Sequence, residues 1–304
     1  MMTDVTPAAP CALRLGAGRG GPWRSEPSDC GVYTKPYERS HIRMTPIVDR
    51  VECIVQDKLG DWPRQWEGFH WPGYTYEHTL RVRSLALALG EREGADPQVV
   101  ELAALLHDIE KEVGKGHAAA GAETAERILA ELEVDEALAS AVCDAIATHT
   151  GGNTPDHPVE NLVLGDADLI DANFGLVATW RFITIRAGHR MPMDETISSM
   201  AEWLPKKEAL RDVLLTEAAK EITAARSARM QEFCRQLAEA WANGERNGEF
   251  DLPDLAEFIT ARHQTANLGR QIAELREATP DGREVSAAVA EILAGLEEEM
   301  AGRA

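Results

Sequence analysis

The stretch LAALLHDIEK, residues 102–111, decides how the chain is read. Five apolar residues lead into His107 and Asp108, and Ile109 resumes the apolar run. Asp96-Pro97 upstream is a helix start signal, with Asp as N-cap and Pro in the first turn. Gly114 and Gly116 break the chain downstream, so the spacing predicts a helix over 97–112. Its last turn carries an imidazole and a carboxylate on a segment otherwise bound for the core. Ionisable groups aimed at a core are costly unless they are paired or bound to a metal.

Working outward, helical periodicity is found almost everywhere after residue 46, and no alternating strand pattern of useful length occurs. An opening helix is marked by Ile47, Val51, Ile54 and Val55. Further segments are expected at about 76–92, 117–132, 135–149 and 159–174, then 194–203, 206–244, 252–277 and 284–300. His78 shares a face with Val82, Leu85 and Leu89, His149 follows Val142 and Ile146, and Asp168 follows Leu164. A lone histidine on such a face is usually a satisfied core residue. His78, His107, Asp108, His117, His149 and Asp168, spread over successive helices, point instead to a shared metal site. Imidazole and carboxylate without thiolate suit Fe, Mn, Co, Ni, Mg or Zn, as one ion or two. Such a set leaves coordination open for water, whose pKa the metal lowers toward neutrality. Adjacent His107 and Asp108 allow the carboxylate to bridge two ions.

The composition limits the alternatives. Of 304 residues, 51 are acidic and 31 are Lys or Arg, a formal charge of −20 that repels a phosphate backbone and argues against a nucleic-acid groove. A small phosphorylated substrate remains compatible, because a bound cation reverses the field locally. No apolar run reaches the roughly 18 residues of a membrane span, and residues 1–20 do not form a compact signal core. The five cysteines are scattered, which reads as reduced thiols in a cytoplasmic protein. Residues 1–45, rich in Pro and Gly, are expected to be mostly disordered, with Met44 a candidate start of the folded part. The expected organisation is this extension, a catalytic helical domain over 46–205, and a helical extension over 206–304 whose helices offer a surface for homo-oligomerisation. The aromatic segment from Asp61 to Tyr76 reads as packing beneath a loop rather than a substrate wall.

HTLRV (78–82), LAALLHDIEK (102–111) and DADLID (166–171) together resemble the HD-domain superfamily of metal-dependent phosphohydrolases, over about residues 70–185. The resemblance implies an all-α fold, an HD-domain helical bundle with additional C-terminal helices, and His78, His107, Asp108 and Asp168 as the basic ion set. GHAAAGAETAERIL (116–129) is similar to the segment that follows the HD motif in two-metal members. AIATHTGG (145–152) is similar to a segment of the branch that splits diadenosine tetraphosphate symmetrically. By that likeness His117 and His149 would hold a second ion, while Gly121 leaves room for a close helix approach. DADLIDANFG, by contrast, lacks the segment that branch carries after its Ala-Asp pair. Together with EGADPQVVELAALLHDIEK (93–111), it looks more like a group of stand-alone HD hydrolases of nucleotides, save at Ile170 and Asn173.

The resemblance implies hydrolysis of a phosphoester or phosphoanhydride in a nucleotide or similar molecule. Asp108 would be a ligand first and a catalytic group second, and Lys111 would face the substrate phosphate. Arg81 and Arg181 are candidates to grip it, and Asp171, at i+3 from Asp168, is a candidate to orient a ligand histidine. His70, His157, His189 and His263 have no supporting spacing. Two alternatives carry the same letters: a di-iron oxygenase, and a non-catalytic nucleotide-sensing scaffold.

Overall fold

The computed structural model describes residues 46–244, 248–265 and 267–303. The disorder expected for residues 1–45 lies outside the described residues. Twelve α-helices account for the fold, and among the described residues there are no strands, only isolated bridges such as Glu67–His70. No described helix is long and apolar enough to cross a membrane.

The first six helices follow the sequence pattern. They are α1 (Pro46–Leu59), α2 (Tyr74–Glu93), α3 (Pro97–Leu106), α4 (His117–Glu131), α5 (Glu136–Thr148) and α6 (Val159–Asn173). The Asp96 side chain accepts from Gln98 N, and Asp135 caps α5 in the same way, so both starts carry their expected oxygen acceptors. α3 ends earlier than its periodicity predicts. Ile109 N and Lys111 N donate to Leu106 O and Asp108 O, three residues back, so the chain tightens into 3-10 geometry over Lys111–Val113.

The remaining helices are α7 (Leu176–Gly188), α8 (Met193–Glu208), α9 (Glu217–Asn243), α10 (Leu252–Ala261), α11 (Leu268–Glu277) and α12 (Ala287–Met300). The sequence pattern does not reveal α7. Its N-terminal N–H groups, Leu176 N and Val177 N, donate to the two carboxylate oxygens of Glu299 at 2.9 and 3.0 Å, so its cap comes from the far end of the chain. The helix expected over 252–277 is two helices, the second capped by Asn267. The one expected over 206–244 starts only at Glu217, where the Thr216 hydroxyl accepts from Ala219 N.

Two apolar cores result. One unites α1, α2, α3, α4, α5 and α6 with Leu214, Ala218, Ala219, Ile222 and Met230. The other unites Leu176, Trp180 and Ile183 of α7 and Met200 of α8 with Phe233, Leu237 and the last three helices. The change from one core to the other falls between Phe174 and Leu176. α9 contributes to both cores and ties them together. Arg226 of α9 is fully buried, and its guanidinium donates to Glu299 O and Arg303 O at 3.0 and 2.8 Å, which fastens the end of α12.

Candidate metal centre

α2, α3, α4, α5 and α6 each bring one or two polar groups to the middle of the first core. Three of the four histidines sit at helix ends: His107 just past α3, His149 just past α5, and His117 as the first residue of α4. Helix ends leave carbonyls without intrahelical partners. His107 Nδ1 lies 2.8 Å from Ala104 O, His149 Nδ1 2.7 Å from Ile146 O, and His117 Nδ1 2.9 Å from Gly114 O, each three residues back. A carbonyl can only accept, so each Nδ1 is the protonated nitrogen and each Nε2 presents a lone pair. His78 differs: its Nδ1 lies 2.7 Å from Asp171 Oδ2 and its Nε2 3.0 Å from Asp168 Oδ1, so without a metal both nitrogens donate to carboxylates, and Asp171 holds the ring in place. Partners of this kind fix the tautomer and orientation of ligand histidines.

The four Nε2 atoms converge with two carboxylates. His78 Nε2 is 3.0 Å from Asp168 Oδ1 and 3.8 Å from Asp108 Oδ2. His107 Nε2 is 3.5 Å from Asp108 Oδ2 and 3.9 Å from Asp168 Oδ1. His117 Nε2 and His149 Nε2 stand 3.2 and 3.8 Å from Asp108 Oδ1. Two groups have donor atoms close enough to hold one ion: His78, His107 and Asp168, and His107, Asp108 and His149. The Nε2 atoms of His107, His117 and His149 are buried without a hydrogen-bond partner. Orphaned buried acceptors of this kind are expensive. A cation supplies what they lack, so the residues present fit a divalent metal.

The electrostatics agree with that fit. Burial, the largest influence, holds the His107 pKa down to about 4, so its imidazole is neutral near pH 7. Burial works against the charge of Asp108, but the neighbouring His107, His117, His149 and Lys111 hold its pKa well below the carboxylate range. Asp168 is likewise held low, burial being outweighed by its hydrogen bond to His78. His78 is pushed up to about 10, because the bonds to Asp168 and Asp171 outweigh its burial. Gly121 of α4 faces His107. A Cβ there would lie 3.3 Å from His107 O and 3.4 Å from Ile146 Cγ2, so the close helix approach expected at this glycine is present.

The remaining candidates divide. Lys111 Nζ is 3.0 and 2.9 Å from the two oxygens of Asp108, at the edge of the ion site. Arg181 lies over the Tyr74 ring, 5.0 Å from its centroid, and its buried Nε has no partner. Arg81 is buried, and its guanidinium donates to both oxygens of Asp171 at 2.9 and 3.0 Å, so it anchors that carboxylate. Asp166 accepts from Leu215 N, Thr216 N and the Thr216 hydroxyl, which makes it a structural clamp on the start of α9. The sequence gives no sign of Tyr74 or His70 as neighbours of the site. Tyr74 stacks on His78 with centroids 5.9 Å apart, and His70 stands 5.5 Å from Tyr74.

Known proteins share parts of this chain. A family model described as the HD domain matches residues 75–173. The uncharacterized protein YpgQ of Bacillus subtilis is 30% identical over 183 residues, which cover 54% of this chain and 83% of that protein. A crystal structure of YpgQ in complex with ADP superposes on 64% of this chain and 94% of its own, at 24% identity and a TM-score of 0.49. An HD-superfamily hydrolase from Bacillus thuringiensis gives the same identity and TM-score, covering 64% of this chain and 96% of its own.

Proposed function

We propose that this chain, which belongs to the HD-domain superfamily, is a metal-dependent phosphohydrolase acting on a nucleotide or similar small phosphorylated molecule. The observation that carries the reading is the cluster of partnerless Nε2 atoms of His107, His117 and His149 around Asp108, completed by His78 and Asp168. These six residues would hold one or two divalent ions, with His107 common to both donor groups. When bound, such an ion supplies a nucleophilic water at neutral pH and polarises a phosphoryl oxygen.

The chain's own groups do the rest. The Nδ1 bonds hold every ligand imidazole in place, so little reorganisation is needed on binding. Lys111, paired with Asp108, and Arg181, seated on Tyr74, would offset the charge that phosphoryl oxygens gain in the transition state. The residues from about 46 to 205 form the catalytic part in this reading, with α7 supplying Arg181.

The test is elemental analysis of pure protein, followed by phosphate release from a panel of nucleoside phosphates with the metal found. We expect metal-dependent release that His107→Ala and Asp108→Ala abolish together with metal content. Full turnover by metal-loaded Asp108→Ala would overturn the reading. Oxygen consumption without phosphate release would replace it with the di-iron oxygenase.

A further inference from the structure

Beside the ion site, the aromatic segment 61–73 is held firmly in place. Trp66 stacks on Trp71 with centroids 5.8 Å apart and meets the edges of His189 and His263 at 6.2 and 6.0 Å. Its ring lies directly on Gly188 of α7, where any Cβ would overlap the indole. Packing beneath the loop, as the sequence suggests, is therefore the task of Trp66, Trp71 and Tyr74.

Phe69 and His70 lie at the margin of that packing, Phe69 edge-on to His189 with centroids 5.9 Å apart and His70 against Trp62 and Tyr74 at 5.6 and 5.5 Å. Phe69 is 57% exposed, one of three exposed large hydrophobic residues among those described. Another of the three, Val113, lies two residues past Lys111. Beyond its edge contact with His189 the Phe69 ring stays in water, and an exposed apolar face suits ligand contact. His70 is half-buried. Its ring and the Arg181 guanidinium both border Tyr74, which in turn stacks on the ligand His78. Burial foremost, then the charges of Arg181 and Lys111, hold the His70 pKa down to about 4, so the imidazole that shares the site with these cations is itself neutral. A neutral imidazole offers one donor and one acceptor, which matches the edge of a nucleobase, and an exposed phenyl face matches its plane.

We propose that Phe69 and His70 form a wall for the base of a nucleotide, Phe69 by stacking and His70 by hydrogen bonding, while the phosphate chain runs to Lys111, Arg181 and the ion ligands. The proposal rests on the phosphohydrolase reading and adds to it a preference for substrates with an aromatic base.

The experiment compares ATP with inorganic tripolyphosphate, which shares the phosphoanhydrides and lacks the nucleoside. Stacking energies of this class translate into roughly a 5- to 100-fold rise in the ATP KM of Phe69→Ala. We expect no change in tripolyphosphate kinetics, metal content or melting temperature, and recovery in Phe69→Trp. His70→Ala should narrow the KM differences between ATP, GTP and CTP. Calorimetric binding of ATP to the metal-loaded protein gives a readout independent of turnover. Equal losses on both phosphate probes, or an unchanged ATP KM in Phe69→Ala, would overturn the wall. If wild-type protein hydrolyses neither compound, the phosphohydrolase reading is what fails. The wall then stands or falls on whether ATP binding weakens in Phe69→Ala.

Discussion

Nδ1 of His78 lies 2.7 Å from Oδ2 of Asp171, ninety-three residues along the chain, and the same carboxylate takes two N–H bonds from Arg81. The three side chains form a buried Arg–Asp–His line whose outer end is Nε2 of His78, a proposed metal ligand. Replacing Asp171 by Asn keeps the volume but removes the charge that orients the imidazole and neutralises Arg81. Outer partners of this kind are worth about 10–100-fold in metal affinity. Leaving Arg81 without its counter-charge costs about 3–5 kcal/mol. Asp171→Asn should therefore show both effects, read by competitive metal titration and by denaturant unfolding of the metal-free protein. Unchanged affinity would deny Asp171 its orienting role.

The line also fixes a pH dependence. In the metal-free protein His78 is pushed up to about 10, against an ordinary value of 6.5. Between those values the folded state holds a proton that the unfolded state has lost, so the stabilisation is complete below about pH 6.5 and disappears as pH rises through about 10. A metal ion must displace the same proton from Nε2, so affinity should rise with pH across this window, by up to about tenfold per unit for one proton released. Calorimetry in buffers of different ionisation enthalpy should count about one proton lost per ion bound at pH 7.5. A count of zero would refute the assignment.

His107 and His117 should not behave alike. His107 belongs to both donor groups, whereas His117 belongs to neither and stands 3.2 Å from Asp108 Oδ1. His107→Ala should empty the site of metal. His117→Ala should lower the metal content of a two-ion protein by about one equivalent and leave the His78–His107–Asp168 group loaded. Elemental analysis after dialysis distinguishes the two. Identical metal content in both variants would contradict the shared position of His107.

The convergence of the six candidate ligands was legible in the sequence because each sits at a helix end or face that local periodicity marks, and the HD motif concentrates the signal in adjacent residues. What stayed hidden depends on distant partners. α7 lacks a local cap because Glu299 provides it. Arg81 reads as a free cation until Asp171, ninety residues away, is seen to hold it. His70 has no periodic relation to the ligands, and only the fold of the 61–73 segment brings it beside Tyr74. The stop of α3 at Leu106 is also hidden, since its apolar run continues to Ile109 and only the three-residue hydrogen bonds show the tightening.

Glu299 links the chain's last helix to the site through α7. Its carboxylate is buried and caps Leu176 N and Val177 N, while Arg226 and Arg229 lie close enough to stabilise its charge. Burial is the stronger influence and raises its pKa, so the folded state binds a proton more readily than the unfolded chain. Its contribution therefore declines as pH climbs from the ordinary value of 4.5 through the raised one. Even so, Glu299→Ala at pH 7 strands two backbone donors, at about 1–3 kcal/mol for each buried group. Glu299→Gln keeps one acceptor and should lose less. Because α7 carries both Arg181 and the Gly188 seat of Trp66, the alanine variant should also raise KM for a phosphorylated substrate while metal content stays at the wild-type level. Unfolding curves, KM and elemental analysis on the two variants test this together. A loss of metal that matches the rise in KM would show that α12 supports the ion ligands directly rather than through α7.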